Sequence, residues 1–262
     1  MTVAEVNGRA IPYQDSGGRG IPVVFAHGFF MDHSMFEPQV AALRDRFRVI
    51  TYDERGHGEA ADEPDPYTYW DLADDLAGLL DQLGIERAVI GGMSQGGFIG
   101  LRFALRHPDR VIGLVLLDTP AGVELEEKRG EYDAMRSVWV EDGPSELMGG
   151  MVAAIILGNY PGSPAWVAKW MVRYPTGLGQ AYEALMNRDD ITDRLPEIRA
   201  PALVVHGDED AAIPMERAEA LCAGLSGCGG VVVVAGGSHS ANLNRPEAVN
   251  KAIEGFLAGL GD

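Results

Sequence analysis

The sequence predicts an α/β fold built on a mostly parallel, eight-stranded open sheet with helices on both faces. Six short, continuous apolar runs recur along the chain, and such runs are typical of parallel strands buried on both faces. They are Pro22 to Ala26, Arg48 to Tyr52, Ala88 to Gly91, Val111 to Leu117, Ala202 to Val205 and Val231 to Val234. Segments of helical periodicity lie between them, which favours right-handed crossovers. Ligands are therefore expected beyond the carboxyl ends of the strands.

The first fifteen residues add an antiparallel edge to this sheet. Residue types alternate on either side of Asn7-Gly8, a pair that favours a tight hairpin turn, and the second strand runs to Asp15. This hairpin supplies the first two of the eight predicted strands.

The alternation of strands and helices is interrupted once, from residue 121 to residue 199. No strand-like run occurs there, and the pattern is helical with glycine and proline punctuation. We interpret residues 1–120 and 200–262 as the core and residues 121–199 as an inserted helical cap. A cap must bury its apolar face against the core, which predicts part of a binding site beneath it.

Composition limits the classes of partner. Among 262 residues, 39 acidic side chains outnumber 21 basic ones, so the formal charge is −18, and this charge repels nucleic acid and anionic lipid. The first residues lack the pattern of a secretory signal, and the longest apolar stretch, Leu147 to Leu157, is too short to span a bilayer. We expect a cytoplasmic protein that acts on a small molecule; the sequence leaves its oligomeric state open.

The two cysteines, Cys222 and Cys228, have a spacing that fits neither a redox pair nor a zinc site. A chain of this length folds without stabilising disulfides or metals, so the two cysteines are predicted to be free thiols that pack in the protein. Free thiols in turn indicate a reducing compartment. The sequence predicts no metal site.

The strongest local signal for chemistry is Gly92-Met93-Ser94-Gln95-Gly96, between a predicted strand and a predicted helix. This context is typical of the sharp turn that exposes a nucleophilic serine above a sheet. The glycines leave room for close backbone approach, and the helix points its first N–H groups at the reacting centre. Ser94 is therefore the candidate nucleophile.

A serine nucleophile needs a base within hydrogen-bond reach and an acid that orients the base. His239 is the candidate base, because it follows the last predicted strand in a loop of small residues. The other histidines are expected in structural roles: loop packing for His27, surface or capping positions for His33 and His107, packing for His57, and a structural position for His206.

The acid is expected between Ser94 and His239 in chain order, at another strand end. Asp210 is the candidate, because the residues after it read as a turn into a helix that fixes its carboxylate. Asp208, Glu209 and Asp118 remain alternatives.

A tetrahedral intermediate also requires backbone donors for its oxyanion. His27-Gly28-Phe29-Phe30 follows a predicted strand, and Gly28 lets the chain turn there. The predicted donors are the N–H groups of Phe29 and of Gln95, the residue after the nucleophile.

These motifs, with Asp53-Glu54-Arg55-Gly56-His57-Gly58, resemble those of the α/β-hydrolase superfamily over nearly the whole chain. Within it, the chain is similar to small bacterial esterases, enol-lactonases and cofactor-free, haloperoxidase-like perhydrolases. The resemblance implies a cap after the sixth strand and a triad of Ser94, His239 and Asp210. A serine at position 94 argues against membership among the relatives that carry aspartate or cysteine at this turn.

The predicted activity is hydrolysis of a small carboxylic ester or lactone through an acyl-enzyme, with no metal or organic cofactor. The residues expected to line an apolar substrate pocket beside Phe29 are Phe30, Met93, Trp139, Met151, Trp166 and Trp170. Hydrolysis of a C–C bond or thioester, or peracid formation, could use the same triad. A non-catalytic small-molecule receptor with the same fold is the alternative from another class.

Overall fold

A computed structural model describes residues 1–60, 64–123, 126–173 and 178–260. Its strands form one sheet in the order β1-β2-β4-β3-β5-β6-β7-β8. The strands are β1 (Thr2–Val6), β2 (Arg9–Asp15), β3 (Pro22–Ala26), β4 (Arg48–Tyr52), β5 (Ala88–Met93), β6 (Val111–Leu117), β7 (Ala202–Gly207) and β8 (Cys228–Val234).

The direction of the strands confirms the predicted sheet. β1 and β2 form an antiparallel hairpin, and β2 lies antiparallel to β4. Asn7 and Gly8 have φ of 52° and 76°, the left-handed backbone that a two-residue hairpin turn requires. From β4 to β8 every pairing is parallel. The carboxyl ends of β3, β5, β6, β7 and β8 therefore meet at one edge of the sheet.

Helices cover both faces of this sheet. The helices of the described residues are α1 (Glu37–Leu43), α2 (Tyr69–Gln82), α3 (Gln95–Arg106), α4 (Glu126–Ser137), α5 (Glu146–Ile156), α6 (Ser163–Arg173), α7 (Leu178–Met186), α8 (Met215–Gly224), α9 (Ala241–Asn244) and α10 (Pro246–Gly259). Apolar side chains of α2, α3 and α8 pack on one face, and those of α1 and α10 pack on the other. Within the described chain, no helix has both the length and the apolar character needed to cross a membrane.

The segment between β6 and β7 is helical where the structure describes it. It contains α4 to α7, a π-helical turn at Val138–Asp142 and a 3-10 turn at Thr192–Glu197. Its residues 124–125 and 174–177 lie outside the described residues. Trp139 and Trp170 of this segment are fully buried in the same apolar cluster as Met93. The helical segment therefore packs against the carboxyl edge of the sheet.

The prediction of free thiols is wrong. Cys222, at the end of α8, forms a disulfide with Cys228, at the start of β8, and their Cα atoms lie 5.4 Å apart. The sequence spacing gave no sign of this pairing, because a turn folds the start of β8 back onto α8. The cytoplasmic location stays a prediction, now without the free-thiol argument.

Candidate active site

Ser94 lies between the end of β5 and the start of α3 with φ of 50° and ψ of −111°, a strained conformation for a residue with a Cβ. The neighbouring glycines make this turn sterically feasible. A Cβ at Gly92 would lie 2.2 Å from the Gly96 carbonyl oxygen, and one at Gly96 would lie 2.0 Å from the Ala26 carbonyl oxygen. The turn therefore packs directly against the end of β3.

Hydrogen bonds on both sides of Ser94 hold this turn. The Ser94 N–H donates to the Leu117 carbonyl at 2.9 Å, and the Thr119 hydroxyl donates to the Ser94 carbonyl at 2.7 Å. Both partners come from the end of β6 or just beyond it, so the neighbouring strand fixes the serine over the sheet edge.

The structure brings Ser94, His239 and Asp210 together. Ser94 Oγ lies 3.0 Å from His239 Nε2, and His239 Nδ1 lies 2.8 Å from Asp210 Oδ2. Because a carboxylate only accepts, Nδ1 carries the proton, and Nε2 is left to accept the serine hydroxyl hydrogen. All three residues lie at the carboxyl ends of β5, β7 and β8, where the topology predicts a site.

The acid contact distinguishes Asp210 from its alternatives. The Ala212 and Ile213 N–H groups donate to Asp210 Oδ1 at 2.8 and 2.9 Å, which leaves Oδ2 for the imidazole. Asp208 instead accepts from the Gly236 N–H at 2.6 Å. Burial alone would raise the pKa of Asp210, but His239 and the Ile213 N–H lower it, so the carboxylate is ionised.

Asp118, an alternative candidate for the acid, bonds to backbone N–H groups instead. Its oxygens accept the Gly207 N–H at 2.8 Å and the Ala241 N–H at 3.4 Å. Gly207 ends β7, just before the loop that carries Asp210, and Ala241 begins α9, just after the loop that carries His239. Burial and the negative charge of Asp210 raise the pKa of Asp118 well above its usual range. It thus joins the two loops.

The loop after β3 lies beside the serine. A Cβ at Gly28 would lie 2.5 Å from Met93 Sδ, so a larger residue here would require the Met93 side chain to move. Phe30 has φ of 67°, which turns the chain sharply after Phe29. In the described chain, the N–H groups of Phe29 and Gln95 have no protein acceptor. An oxyanion could therefore accept from both of them.

Residues of α6 and the π-helical turn cover this loop. The indole N–H of Trp170 donates to the Phe30 carbonyl at 2.6 Å, and the rings of Phe30 and Trp139 lie 4.7 Å apart. Lys169 Nζ lies 3.0 Å from Asp32 Oδ2 and donates to Ser34 Oγ at 2.7 Å. Ser94, the candidate nucleophile, is 9% exposed and is therefore largely covered in this structure.

Of the predicted pocket residues, Phe30, Met93, Trp139, Trp166 and Trp170 are buried in one apolar cluster. The prediction for Met151 is wrong. This side chain is 62% exposed, whereas its neighbours Val152 and Ala153 are buried. Successive residues of a helix are rotated by about 100°, so a buried 152–153 pair turns residue 151 towards solvent. An apolar pattern alone does not define which face of a cap helix packs inward.

The remaining histidines are structural, with one correction. His27, His57 and His206 are fully buried, and burial lowers the pKa of each, that of His57 to about 3. His33, expected at a surface or capping position, does begin the 3-10 turn His33–Phe36, but Asp32 caps that turn and the Nδ1 of His33 lies 2.8 Å from the buried Asp53 Oδ1. The ion-pair partner comes from a motif twenty residues away, which local sequence could not reveal.

Sequence reasoning missed Glu54 and Lys169. Glu54 is 2% exposed and accepts a hydrogen bond from the side chain of Gln95. Two adjacent acids directly after a buried strand were the only signal, and such pairs are usually solvated. Lys169 gave none, because its partner Asp32 lies 137 residues away.

Two clusters have the residue types of a metal site: His27 with Glu54 and His57, and Asp118 with His206 and Asp210. In the first, His27 Nε2 accepts from the Glu54 N–H at 3.1 Å, so its lone pair is occupied. In the second, Asp210 is engaged by His239, and His206 Nε2 lies 2.9 Å from the Ile213 carbonyl. These hydrogen bonds leave neither cluster with three open ligand atoms.

Comparison with known proteins agrees with this geometry. A thermophilic esterase from Thermogutta terrifontis superposes with a TM-score of 0.88 and 32% identity, covering 96% of this chain and 94% of the esterase. The enol-lactonase from Burkholderia xenovorans superposes with a TM-score of 0.84 and 30% identity, covering 98% and 100% of the two chains. A Synechocystis protein named a non-heme chloroperoxidase is 28% identical, over 98% of this chain and 99% of its own length.

These similarities confirm the resemblance inferred from the motifs. The family model described as alpha/beta hydrolase fold matches residues 21–246, which include the serine turn, the loop after β3 and the histidine loop. The chain therefore belongs to the alpha/beta hydrolase fold family.

Proposed function

We propose that this protein is a serine hydrolase that cleaves a small carboxylic ester or lactone through an acyl-enzyme. The observation that carries the proposal is the continuous contact from Ser94 Oγ to His239 Nε2, at 3.0 Å, and from His239 Nδ1 to Asp210 Oδ2, at 2.8 Å. Both distances are hydrogen-bond distances, as a nucleophile and its base require. The esterase and enol-lactonase relatives support the same class of bond.

The reaction proceeds in two stages. His239 Nε2 accepts the proton of Ser94 Oγ as the oxygen attacks the acyl carbon, and Asp210 stabilises the imidazolium that forms. The N–H groups of Phe29 and Gln95 donate to the oxyanion. The imidazolium returns its proton to the leaving alcohol, and the acyl group remains on Ser94. Water, deprotonated by His239, then attacks the acyl-enzyme, releases the acid and restores the serine.

The surroundings of Ser94 favour an apolar substrate. Phe30, Met93, Trp139, Trp166 and Trp170 form a buried apolar cluster beside it. We propose residues 121–199 as a cap over this cluster, because Trp170 and Lys169 tie α6 to the loop after β3. An open cavity of about 480 Å³ between α5 and α6 reaches Gly158, whose Cβ position lies 2.8 Å from the Ser238 side chain. Residues of α5 and α6 line most of this cavity, and its lining does not include Ser94, Asp210 or His239.

The test is a panel of p-nitrophenyl esters of graded acyl length. Wild type is expected to turn over at least the short esters, and Ser94→Ala is expected to lose more than about 10³-fold in kcat while remaining folded. A serine-directed phosphonate should add one adduct per chain at Ser94, detected by mass spectrometry. Tight ligand binding without turnover of any ester would instead favour the receptor.

Peracid formation is a second candidate, supported by the relative named a non-heme chloroperoxidase. The acyl-enzyme would be attacked by hydrogen peroxide in place of water, giving a peracid and free Ser94. A short carboxylic ester incubated with peroxide tests this, because peracid oxidises halide in a separate, measurable step. Equal halide oxidation by wild type and Ser94→Ala would contradict it.

A further inference from the structure

The two donors proposed for the oxyanion are the backbone N–H groups of Phe29 and Gln95. One buried residue, Glu54, contacts Gln95 itself and His27, two residues before Phe29. Glu54 follows β4 by two residues and is 2% exposed. Its side chain contacts Gln95 on α3, and its backbone contacts His27 in the loop after β3. In the sheet, β4, which precedes Glu54, and β5, which precedes α3, lie on either side of β3, so Glu54 adds side-chain and backbone contacts to the direct packing of α3 on the end of β3.

The first contact fixes the side chain of Gln95. Gln95 Nε2 donates to Glu54 Oε2 at 2.5 Å, and Gln95 Oε1 accepts from the Tyr69 hydroxyl at 2.9 Å. Gln95 is itself 2% exposed. With both ends of the amide held, residue 95 has little freedom to rotate at the start of α3. Its backbone N–H therefore keeps one direction.

The second contact fixes the peptide that carries the Phe29 N–H. The Glu54 N–H donates to His27 Nε2 at 3.1 Å, so Nδ1 carries the hydrogen and donates to the Gly28 carbonyl at 2.9 Å. The Gly28 carbonyl and the Phe29 N–H belong to one trans peptide group and point in opposite directions. A carbonyl held by His27 thus orients the Phe29 N–H and makes it a stronger donor.

Burial favours the neutral forms of both Glu54 and His27. Burial raises the pKa of Glu54 well above its usual range, and burial lowers the pKa of His27. In the described chain, Glu54 Oε1 has no hydrogen-bond partner, so an ionised carboxylate would be costly there.

We propose that Glu54 is a positioning residue of the oxyanion hole: its side chain holds Gln95, while its backbone N–H, which the variants below retain, holds His27 and with it the Gly28–Phe29 peptide. The proposal rests on the serine-hydrolase function proposed above. It assigns a task to the acidic residue of the Asp53-Glu54-Arg55-Gly56 motif, which the triad mechanism leaves unused. Glu54 acts through the two donors and does not itself touch the substrate.

The test compares Glu54→Leu with Glu54→Gln on a p-nitrophenyl ester. Loss of the side-chain contact in Glu54→Leu is expected to lower kcat by about 10- to 100-fold with KM nearly unchanged, because small misplacements of a donor act on the transition state. Glu54→Gln keeps a neutral acceptor for Gln95 Nε2 and should stay within about threefold of wild type. A Glu54→Leu enzyme equal to wild type overturns the proposal.

A transition-state analogue separates positioning from general damage. A trifluoromethyl ketone forms a hemiketal on the serine, and its oxyanion occupies the same donors. The affinity of the Glu54→Leu variant for the ketone should fall by the same factor as its kcat/KM. Its affinity for the matching unfluorinated ether, which has no carbonyl and forms no oxyanion, should stay constant. Equal losses for the ketone and the ether would overturn the proposal.

A matched pair of hydroxyl deletions keeps the test decisive if Glu54→Leu fails to fold. Tyr69→Phe removes the donor to Gln95 Oε1, whereas Tyr67→Phe removes a hydroxyl that donates to the Arg55 carbonyl at 2.8 Å. Only Tyr69→Phe should weaken ketone binding, by about 3- to 10-fold. Equal effects of the two variants overturn the proposal. If Ser94→Ala retains turnover, the proposed function itself has failed, which is a separate result.

Discussion

At the scale of single residues, the serine turn shows how strain is tolerated where it serves chemistry. Ser94 and Phe30 both have positive φ, 50° and 67°, although neither is glycine. Each conformation costs of order 1–3 kcal/mol and persists because surrounding contacts enforce it. The Leu117 and Thr119 contacts hold Ser94, and the Trp170 indole holds the Phe30 carbonyl. Two of the four non-glycine residues with positive φ in the described chain thus lie at the candidate nucleophile and in the loop beside it, and the other two are Asn7 in the hairpin turn and Asp118 after β6.

The acid of the triad is testable by a pair of neighbouring substitutions. Asp210→Asn removes the acceptor for His239 Nδ1–H and allows the wrong tautomer, so kcat should fall by roughly 10⁴-fold. Asp208→Asn is the matched control, because its carboxylate accepts from the Gly236 N–H instead. Steady-state kinetics on one ester measures both. Equal losses, or a larger loss in Asp208→Asn, would reassign the acid.

The His33–Asp53 pair predicts a dependence of stability on pH. Burial alone lowers the pKa of His33, but the hydrogen bond and charge of Asp53 raise it overall above its usual value. A raised folded-state pKa contributes stability that is fully present below the unfolded pKa and is lost as the pH rises through the folded pKa. The loss of stability caused by His33→Gln, measured by urea unfolding, should therefore be larger at pH 5.5 than at pH 9. A loss that is constant with pH would refute this interpretation.

At the scale of elements, helix α6 (Ser163–Arg173) links the proposed cap to the loop after β3, which carries the proposed oxyanion donor Phe29. Lys169 contacts Asp32 and Ser34, and the next residue, Trp170, contacts the Phe30 carbonyl. Asp32 also caps the 3-10 turn that follows the loop, by accepting from the Ser34 N–H. Movement of α6 away from the core would therefore break contacts on the loop that carries Phe29.

The disulfide between α8 and β8 predicts a redox-dependent stability. Cross-linking two nearby residues restricts the unfolded chain, which for so short a loop is worth about 2 kcal/mol. The double variant Cys222→Ser/Cys228→Ser should have a free energy of unfolding lower by that amount. A reducing agent should lower the free energy of unfolding of the wild type equally and leave that of the double variant unchanged. Urea unfolding measures this, and a thiol reagent should find no free thiol in the unreduced, denatured protein. Two reactive thiols would contradict the pairing.

At the scale of the whole molecule, the formal charge of −18 sets the field that a charged substrate meets. At low ionic strength, kcat/KM for a cationic choline-type ester should exceed that for an anionic ester of the same acyl group, by up to about tenfold. Salt should reduce the difference, because the Debye length falls to about 8 Å at 0.15 M. A neutral ester serves as the control. If the ratio of kcat/KM for the cationic ester to that for the anionic ester does not change with salt, the net charge has no effect on the potential at the site.

Much of the fold and part of the site were predictable because their signals are local. Apolar runs, helical periodicity and the Asn7-Gly8 turn placed the eight strands, and the structure confirms the sheet. The Met151 and His33 errors share one cause, because the exposure of Met151 and the contact of His33 with Asp53 both depend on tertiary packing that the neighbours along the chain do not record. The Cys222 error has another cause: Cys228 is only six residues away, and the turn between α8 and β8 brings the two Cα atoms within 5.4 Å.

The sequence by itself determined the order of strands and helices, the strained serine turn and the candidate residues, since each depends on neighbours a few positions apart. Only the tertiary structure decided that Asp210, rather than Asp208 or Asp118, contacts His239, and that Glu54 contacts both Gln95 and His27. The physical reason is the range of the interactions. A hydrogen bond requires atoms within about 3 Å, and Ser94 and His239 are 145 residues apart until the parallel sheet brings its strand ends together.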